Sequence, residues 1–556
     1  VGHQSYVHKL ITGRYERFDT LRSFGGISGF PKPSESPYDA FDTGHSSTSI
    51  AAAFGLLNAK EILGQPGKAI AVIGDGALTG GLAYEGLNNA GRHHKNFIVV
   101  LNDNKMSISR NVGAMARYLA VIRTKPGYYR SKQSLDKLLR KTPVIGKPLL
   151  NALVKSKSAM KNAMYPSTIF EEMGFRYIGP IDGHDIPQLL RAFEQARQED
   201  GPVLVHVCTI KGKGYPFAEK NPRGFHGTSA FDIETGEKIL CQDSFSDIFG
   251  RELVRWARAD GKICAITAAM KLGTGLEEFA KDLPDRFFDV GIAEEYAVTF
   301  ASGLAANGII PVFAVYSTFL QRAYDQIIHD AAMQKLKLIL AVDRAGFVGT
   351  DGETHQGVFD VSFLDSIPNV TIYSPCYFDE LKEDLRMALY HEEGVVALRY
   401  PRGIEPELPE NFSPCGKDYV MYCNHLNSAD SKILIVTYGR LFEQAWKAQK
   451  RLKDRGIGAD ILKLNKIKPL SQEAVGDAFS YPYIFFYEEG MSCGGVGSQF
   501  CLQLSKRGYE GSFELHAVED NFIPQGSICR QLHWCKLDTE GICGSILKKI
   551  CGDEKE

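Results

Sequence analysis

The chain has 556 residues, of which 44% are hydrophobic and 23% are charged, with a formal net charge of −2. This length predicts three or four domains. The near-neutral charge gives no general basis for binding nucleic acid, and no apolar run approaches the roughly eighteen residues that a membrane-spanning helix needs. We therefore expect neither a nucleic-acid nor a membrane partner.

Cysteine usage indicates the cellular compartment. The twelve cysteines include no Cys-x-x-Cys pair, and the spacing of those near the C-terminus, Cys529, Cys535, Cys543 and Cys551, fits no common zinc site. Free thiols in a reducing compartment are the favoured interpretation, so we expect a cytoplasmic protein. The sequence starts at Val1 without Met, and we expect further residues upstream of it, so a plastid location stays open.

Residues 1–235 alternate apolar strands with helical segments, which is typical of a doubly wound α/β domain. The runs 69–73 and 97–100 are predicted to be buried strands, with a helix over 78–93 between them.

Two polar residues follow those two strands. Asp75 lies in a Gly-Asp-Gly turn, and Asn104 comes 29 residues later, after the second strand. Because a right-handed crossover brings both strand ends to one sheet edge, the two side chains are expected to share a crevice. Such oxygen ligands suit Mg²⁺ with a diphosphate, and the glycines allow close approach of its oxygens. This interpretation is favoured over a plain turn, and the pattern resembles the thiamine diphosphate fingerprint.

A basic tract interrupts this first domain. Residues 110–161 are rich in Lys and Arg, and Asp136 is the one acid among them. The tract could bind RNA, but we favour a mobile, solvated insertion over an anionic active site.

Residues 244–402 form a second predicted α/β domain, with strands at 263–267, 287–290, 309–315, 338–342 and 370–373. Glu294 opens a predicted helix over 295–306. A Glu at a helix start is usually a cap, but thiamine chemistry needs a carboxyl group that drives the aminopyrimidine to its imino tautomer, and burial would suit Glu294 to that role.

Polar, Gly-rich stretches follow several strands of this domain, where α/β sheets bind ligands. Arg344 and Arg402 in these stretches suit a substrate phosphate, and His355 near Asp351 suits proton transfer. Residues 403–417 are predicted to be a linker, and 418–556 a third α/β domain with strands at 433–437, 459–464, 484–487 and 513–518.

Motifs along essentially the whole chain resemble those of the 1-deoxy-D-xylulose-5-phosphate synthase family, transketolase-like members of the thiamine diphosphate superfamily. The motifs are Val1-Gly2-His3-Gln4, His8-Lys9, Thr12-Gly13-Arg14, Gly44-His45-Ser46-Ser47-Thr48-Ser49, Gly74-Asp75-Gly76, residues 102–106, Asp182-Gly183-His184-Asp185, Lys211-Gly212-Lys213-Gly214-Tyr215, residues 316–326, residues 351–357, residues 399–403, Glu488-Glu489-Gly490 and residues 522–526.

This resemblance implies a role for each matching residue. Cofactor contacts are implied for His3, Gly44, His45, Ser46, Gly76, Ala77, Asn104 and Tyr215, with Phe319 beside the pyrimidine and Glu294 as its activating acid. Metal ligands are implied for Asp75, Asn104 and the carbonyl of Met106. Groups near the substrate are implied for His226, Arg322, Asp351 and His355, and a sugar-phosphate anchor for Tyr316, Arg344 and Arg402.

The resemblance also implies the fold and the reaction. The fold would be transketolase-like, with three doubly wound α/β domains: two that bind thiamine diphosphate and a transketolase C-terminal-like one. The enzyme would be a homodimeric transferase that uses thiamine diphosphate and Mg²⁺. It would condense pyruvate with D-glyceraldehyde 3-phosphate to 1-deoxy-D-xylulose 5-phosphate and CO₂, the first step of non-mevalonate isoprenoid synthesis, which also feeds thiamine and pyridoxal synthesis.

Three departures from the family pattern bear on these roles. The Gly-His segment that supplies a catalytic histidine would lie upstream of Val1, Tyr296 stands where many relatives carry His, and Lys105 stands where Glu is frequent. The alternatives are a transketolase, a 2-oxo acid dehydrogenase E1 component, or a catalytically silent cofactor-binding fragment. The strings around Tyr316 and His355 argue against the first two.

Overall fold

The computed structural model describes residues 2, 4–104, 113–123, 167–227, 230–237, 242–410, 412, 417–423 and 431–552. The described chain divides into two compact units. Unit 1 comprises His45–Ile239 with Gly291–Ala293, and unit 2 comprises Gly2–Gly44, Leu240–Val290 and Glu294–Glu556.

Unit 1 is built on a four-stranded parallel sheet. Its strands, in the spatial order β1-β2-β4-β3, are β1 (Ile70–Gly74), β2 (Ile98–Asp103), β3 (Arg176–Asp182) and β4 (Val203–Cys208). Val99 and Leu101 of β2 pack into one apolar cluster, and Ile98 and Val100 pack into another. Because β2 is buried on both faces, it is a continuous apolar run rather than an alternating one.

Helices supply both apolar clusters of unit 1. The helices are Ser49–Ile62, Gly81–Ala90, Gly113–Arg123, Ile169–Glu172, Ile186–Arg197 and Pro216–Lys220. Ile50 and Leu87 join the cluster of Val99, whereas Ala196 joins the cluster of Ile98. This layering confirms the predicted α/β class.

The helix predicted over 78–93 is wrong at its start, and it ends earlier than predicted, at Ala90. The chain makes a 3-10 turn at Ala77–Thr79, becomes extended at Gly80 and begins the helix at Gly81. A Cβ atom on Gly80 would lie 2.4 Å from the Ser47 hydroxyl oxygen, so this approach requires glycine.

Unit 2 contains a seven-stranded sheet in the order β14-β9-β10-β8-β7-β5-β6, parallel except at β14. Its strands are β5 (Ile263–Thr267), β6 (Phe287–Asp289), β7 (Ile310–Tyr316), β8 (Leu338–Ala345), β9 (Val370–Tyr373), β10 (Val395–Pro401) and, from much later in the chain, β14 (Lys466–Lys468). The five predicted strands of this region are confirmed, whereas β10 and β14 were not predicted.

A five-stranded sheet in unit 2 has the order β11-β13-β12-β15-β16, with β11 antiparallel to β13. Its strands are β11 (Tyr419–Tyr422), β12 (Ile433–Tyr438), β13 (Ala459–Leu464), β15 (Tyr483–Met491) and β16 (Ser512–Val518). The four predicted strands here are confirmed, and β11 was missed. The three-domain division stays a prediction.

The helices of unit 2 lie between these strands. The α-helices are Tyr6–Lys9, Phe245–Ala259, Glu277–Asp282, Glu294–Ala306, Ser317–Leu320, Tyr324–Gln326, Asp360–Asp365, Phe378–Tyr390, Leu441–Asp454, Gln472–Ala478, Val496–Lys506, Ile528–Trp534 and Thr539–Cys551. Shorter 3-10 or π segments are Leu10–Arg14, Tyr15–Thr20, Pro284–Arg286, Gln321–Ala323 and Ile327–Ala332. The helix predicted over 295–306 is confirmed.

Several predictions lie outside the described residues. These are the roles of His3, Lys105 and Met106 and most of the basic tract, of which Gly113–Arg123 is a helix. In the part of the chain that the structure describes, no helix combines the length and apolar character needed to cross a bilayer.

Candidate functional site

Two carboxylates meet at the carboxyl edge of the unit 1 sheet. Gly74 is the register partner of Asn102, so Asp75 and Asp103 leave β1 and β2 at one level. Asp75 is 2% exposed and Asp103 is fully buried. Burial and the charge of Asp103 raise the pKa of Asp75 to about 7. Since two buried like charges are unfavourable without compensation, Asp75 needs a proton or a cation.

These donors fit a hard divalent cation. Asp75 supplies a carboxylate, and Asn104, just past β2, supplies an amide oxygen. Mg²⁺ prefers one or two such oxygens and completes its octahedron with water and phosphate. The third implied ligand, Met106, lies outside the described residues.

Asp103 is held by basic groups that the sequence did not reveal. Its Oδ2 atom accepts hydrogen bonds from His206 Nε2 at 2.9 Å and from Arg123 Nη1. Burial alone would raise the pKa of Asp103, but these two bonds lower it to about 2. The Tyr177 hydroxyl lies 2.7 Å from His206 Nδ1 and fixes the ring. Asp103 is therefore ionised, and its hydrogen bonds fix the end of β2, directly before Asn104.

The turn after Asp75 is packed against the segment that contains His45 and Ser46. The Ser47 hydroxyl donates to the Ala77 carbonyl at 2.7 Å. Gly76 is buried beside Ala77, and His45 and Ser46 are half-buried. Unit 1 thus brings four of the predicted diphosphate contacts together, whereas Gly44 belongs to unit 2.

Lys211 and His226 form a second polar pair in unit 1. Lys211 Nζ and His226 Nδ1 are hydrogen-bonded. Burial lowers the pKa of Lys211 to about 8, although the charge of Asp75 opposes this shift. The hydroxyl of Tyr215, in the same Gly-rich loop, donates to the Ile233 carbonyl at 2.9 Å.

In unit 2, Glu294 is 1% exposed at the start of its helix. Burial raises its pKa, and Arg322 opposes this shift only in part, with Nη1 3.4 Å from Glu294 Oε2. A raised pKa favours the protonated carboxyl group, which can share its proton with a ring nitrogen. The role of pyrimidine-activating acid that the family resemblance implies for Glu294 stays a prediction.

His355 lies in an aromatic setting. Its ring stacks on Phe30 with centroids 4.9 Å apart and meets Phe319 edge-on at 5.5 Å. His355 Nδ1 lies 2.8 Å from the Thr354 hydroxyl. Phe319 is a predicted cofactor contact, whereas Phe30 was missed, because no local pattern links residue 30 to residue 355.

Asp351 is hydrogen-bonded to two arginines. Arg22 Nη1 donates to Oδ1 at 2.8 Å, and Arg402 Nη1 donates to Oδ2 at 3.0 Å. Although burial would raise the pKa of Asp351, Arg402 and other positive groups lower it. Asp351 is therefore an anion that orients both guanidinium groups. Arg22, far upstream in sequence, was not predicted.

Tyr316 and Arg344 stack at the ends of β7 and β8. The Arg344 guanidinium carbon lies 3.7 Å from the centre of the Tyr316 ring. A Cβ atom on Gly273 would lie 1.7 Å from the Tyr316 hydroxyl oxygen, so the phenol occupies the space that this glycine leaves. Desolvation and the like charge of Arg344 lower the pKa of Arg402. Two mutually repelling guanidinium groups are typical of an anion site.

Tyr296, one of the departures from the family pattern, is 56% exposed and stacks on Phe300 with centroids 5.7 Å apart. It packs as a surface aromatic residue along its helix.

The chain matches three family profiles in sequence order. They are 1-deoxy-D-xylulose-5-phosphate synthase over residues 1–209, the transketolase pyrimidine binding domain over 243–406, and the transketolase C-terminal domain over 422–542.

Curated relatives match over nearly the whole chain. The 1-deoxy-D-xylulose-5-phosphate synthase of Natranaerobius thermophilus is 47% identical over 100% of this chain and 88% of its own length. The synthases of Caldanaerobacter subterraneus and Desulforudis audaxviator are both 48% identical, over 99% and 95% of this chain and 88% and 83% of their own lengths. A solved transketolase from Campylobacter jejuni is 16% identical with a TM-score of 0.49, covering 96% of this chain and 86% of its own.

Proposed function

Because the chain belongs to the 1-deoxy-D-xylulose-5-phosphate synthase family, we propose that it condenses pyruvate with D-glyceraldehyde 3-phosphate, releasing CO₂ and forming 1-deoxy-D-xylulose 5-phosphate. It is a transketolase-like transferase dependent on thiamine diphosphate. The observation that carries the acceptor assignment is the Tyr316–Arg344–Arg402 cluster, a charged site for a phosphate group at the edge of the seven-stranded sheet.

In this proposal, unit 1 would hold Mg²⁺ beside the diphosphate of the cofactor. The Asp75 carboxylate and the Asn104 amide oxygen would be metal ligands, and the carbonyl of Met106, which lies outside the described residues, is the third ligand that the family resemblance implies. Asp103, neutralised by His206 and Arg123, keeps the ligand-bearing loop in place without coordinating the ion. His3, Gly44, His45, Ser46, Gly76, Ala77 and Tyr215 are the further cofactor contacts carried over from the family motif.

When bound, thiamine diphosphate supplies a nucleophilic carbon and stabilises the negative charge left by loss of CO₂. Glu294 would hold a proton at the aminopyrimidine ring, and its burial, which raises its pKa, favours the protonated form. Arg322 limits this effect and keeps the carboxyl group oriented. Phe319 packs beside the pyrimidine.

The remaining groups act on the substrates. His355 and His226 move protons to or from substrate oxygens, and the stack of Phe30 on His355 fixes the imidazole plane. Arg344 and Arg402 bind the phosphate of the aldehyde, with Tyr316 beside them. The hydrogen bond from Arg402 to Asp351 orients the Arg402 guanidinium group.

Two further features complete the proposal. A homodimer follows from the family resemblance, and a cytoplasmic location follows from the cysteine usage. Both stay predictions.

A coupled assay tests the function. Purified protein with pyruvate, D-glyceraldehyde 3-phosphate, thiamine diphosphate and Mg²⁺ should release one CO₂ per sugar phosphate formed, and Glu294→Gln is the matched inactive control. Ketose-to-aldose transfer without CO₂ would indicate a transketolase, and pyruvate oxidation by an artificial electron acceptor without the aldehyde would indicate an E1 component. If a protein whose measured mass equals that of the given 556 residues binds the cofactor without turnover, it is a catalytically silent fragment.

A further inference from the structure

Asp343 lies directly behind the arginine cluster. It is the register partner of Tyr316, across the β7–β8 pair, and it precedes Arg344 in the chain. On the other side of β8, β10 shifts register between Arg399 and Pro401, and Tyr400, the residue between them, is fully buried. Asp343 is thus enclosed between the strands that carry the anion-binding groups.

The hydrogen bonding of Asp343 is incomplete. Its Oδ2 atom accepts from the Ser246 hydroxyl at 2.6 Å, while its Oδ1 atom, fully buried, has no hydrogen-bond partner among the described residues. The buried Tyr400 hydroxyl also has none within that part of the chain. An ionised oxygen left in this state is costly, and a proton on the carboxyl group removes that cost.

The environment of Asp343 also favours a proton on its carboxyl group. Burial raises the pKa of Asp343 to about 6, and Arg344, Ser246 and Arg402 oppose this shift. Burial and the charge of Asp343 also raise the pKa of Tyr400. The groups that face this carboxyl are Arg344 on β8, Ser246 on helix Phe245–Ala259, Tyr316 on β7, and Tyr400 and Arg402 at the end of β10.

The charge balance of the cluster depends on this carboxyl group. The cluster contains three guanidinium groups, of Arg22, Arg344 and Arg402. It contains two carboxyl groups, of Asp343 and Asp351, so its net charge is +1 when both acids are ionised. A phosphate monoester near neutral pH carries almost two negative charges. A proton on Asp343 gives the cluster the second positive charge that such a dianion requires.

We propose that Asp343 is a positioning residue of the acceptor-phosphate site that takes up a proton from solvent when a phosphate dianion binds beside Arg344 and Arg402. This inference rests on the proposed function, because it assumes that the cluster is the site of the acceptor phosphate. No covalent bond changes, and the proton comes from the buffer.

Because proton uptake by Asp343 is linked to dianion binding, the direction in which dianion affinity changes with pH can be stated. A bound dianion disfavours ionised Asp343 and so raises its pKa further. Dianion affinity is therefore constant below the pKa of the free protein, about 6, and falls as pH rises from that value to the pKa of the complex. Above the second value affinity is constant again, about tenfold weaker for each unit by which the ligand raises the pKa.

Titration calorimetry of the protein with its cofactor and Mg²⁺ tests this. The probes are sulfate, which does not titrate in this range, and sn-glycerol 3-phosphate. Each is measured in two buffers of different ionisation enthalpy from pH 5 to pH 9. We expect proton uptake that rises towards one proton per sulfate near pH 7 and vanishes at pH 5. Asp343→Asn should abolish uptake and bind sulfate more tightly than the wild type at pH 8, by about tenfold per unit of linked pKa change.

Two variants provide controls. Ser246→Ala removes the hydroxyl that donates to Asp343 Oδ2, so the window of proton uptake should move to higher pH. Asp285→Asn makes the same substitution at an exposed position and should leave uptake unchanged. If Asp343→Asn does not fold, the inference is tested by proton uptake in the wild type and by the change in its pH window in Ser246→Ala.

Binding without proton uptake overturns the inference, as does an Asp343→Asn variant that keeps the wild-type pH dependence or binds more weakly at every pH. Each of these results leaves the proposed function intact. If neither probe binds while the coupled assay succeeds, the phosphate lies elsewhere and the inference fails alone. If the coupled assay also fails, the proposed function falls with it.

Discussion

The carboxylate cluster of unit 1 and the arginine cluster of unit 2 differ in how they compensate their own charge. Asp103 has His206 and Arg123 as partners, but Asp75 beside it is buried with a pKa of about 7. In unit 2, Asp351 is hydrogen-bonded to both Arg22 and Arg402. In the first cluster, burial and the charge of Asp103 raise the pKa of Asp75. In the second cluster, the acid and two arginines are paired with one another and must exchange partners when an anion binds.

This contrast predicts that the first cluster depends on its ligand more strongly than the second. Replacing Asp75 removes the charged ligand of the proposed metal site. Replacing one arginine leaves the other guanidinium groups to bind the anion. The following predictions run from the largest expected effect to the smallest.

Asp75→Ala should weaken binding of Mg²⁺ and thiamine diphosphate by more than about 100-fold, since even partners outside the coordination sphere are worth 10–100-fold. The remaining described oxygen ligand, Asn104, is neutral. Calorimetry and circular dichroism should show lost binding with the fold retained, and Asp200→Ala, an exposed acid of the same unit, is the control. Unchanged cofactor affinity would refute the metal assignment.

Glu294→Ala should leave cofactor binding largely intact and slow hydrogen exchange at C2 of the bound cofactor by on the order of 10²–10⁴-fold, the usual range for general acid–base groups. The exchange is measured by NMR after rapid quenching. Glu277→Gln, at an exposed position of unit 2, should exchange at the wild-type rate. If both variants exchange normally, Glu294 is only a helix cap.

Arg344→Ala and Arg402→Ala should each cost about 1.5–3 kcal/mol of binding free energy for the phosphorylated aldehyde, the value of a charge-assisted hydrogen bond. The effect should appear in KM for D-glyceraldehyde 3-phosphate and be much smaller for glyceraldehyde. Arg258→Ala, at an exposed position of unit 2, should change neither constant. Equal losses for both aldehydes would make these arginines structural.

Lys32→Gln should have the smallest effect. Lys32 Nζ contacts both carboxylate oxygens of Glu353, at 2.9 and 2.8 Å, and both side chains are partly exposed. Such pairs contribute about 0.2–1 kcal/mol. The midpoint of urea unfolding should therefore shift slightly, and KM should change less than about twofold; a larger change in KM would show that the pair positions the loop that carries Asp351 and His355.

Local patterns were sufficient to locate most strands but not all of their ends, since β8 continues to Ala345 beyond the predicted end at residue 342. Apolar runs located β1, β2, β5, β8, β9 and β13, and the polar residues that follow those runs include Asp75, Asn104 and Arg344, of which Arg344 lies within β8. Such runs report burial directly, and in parallel sheets burial on both faces makes them conspicuous. Site roles such as that of Glu294 came from the motif resemblance and stay predictions.

Other features depend on distant contacts that no local pattern encodes. Arg22 meets Asp351, and Phe30 stacks on His355, across more than 300 residues. Asp343 resembles an ordinary strand residue in the sequence, and its buried, half-satisfied carboxyl group is visible only in the folded sheet. The break at Gly80 was missed because Ser47, which requires it, lies 33 positions earlier.

Strand β14 has a consequence for truncation. Lys466–Lys468 pairs with β9 of the seven-stranded sheet although it comes from beyond the predicted linker. A chain cut at residue 417 would leave β9 with an exposed edge of unpaired backbone groups, and such edges recruit strands from other molecules. The truncated protein should aggregate more readily than the whole chain, so partial proteolysis in that linker is a route to insolubility rather than to an independently stable piece.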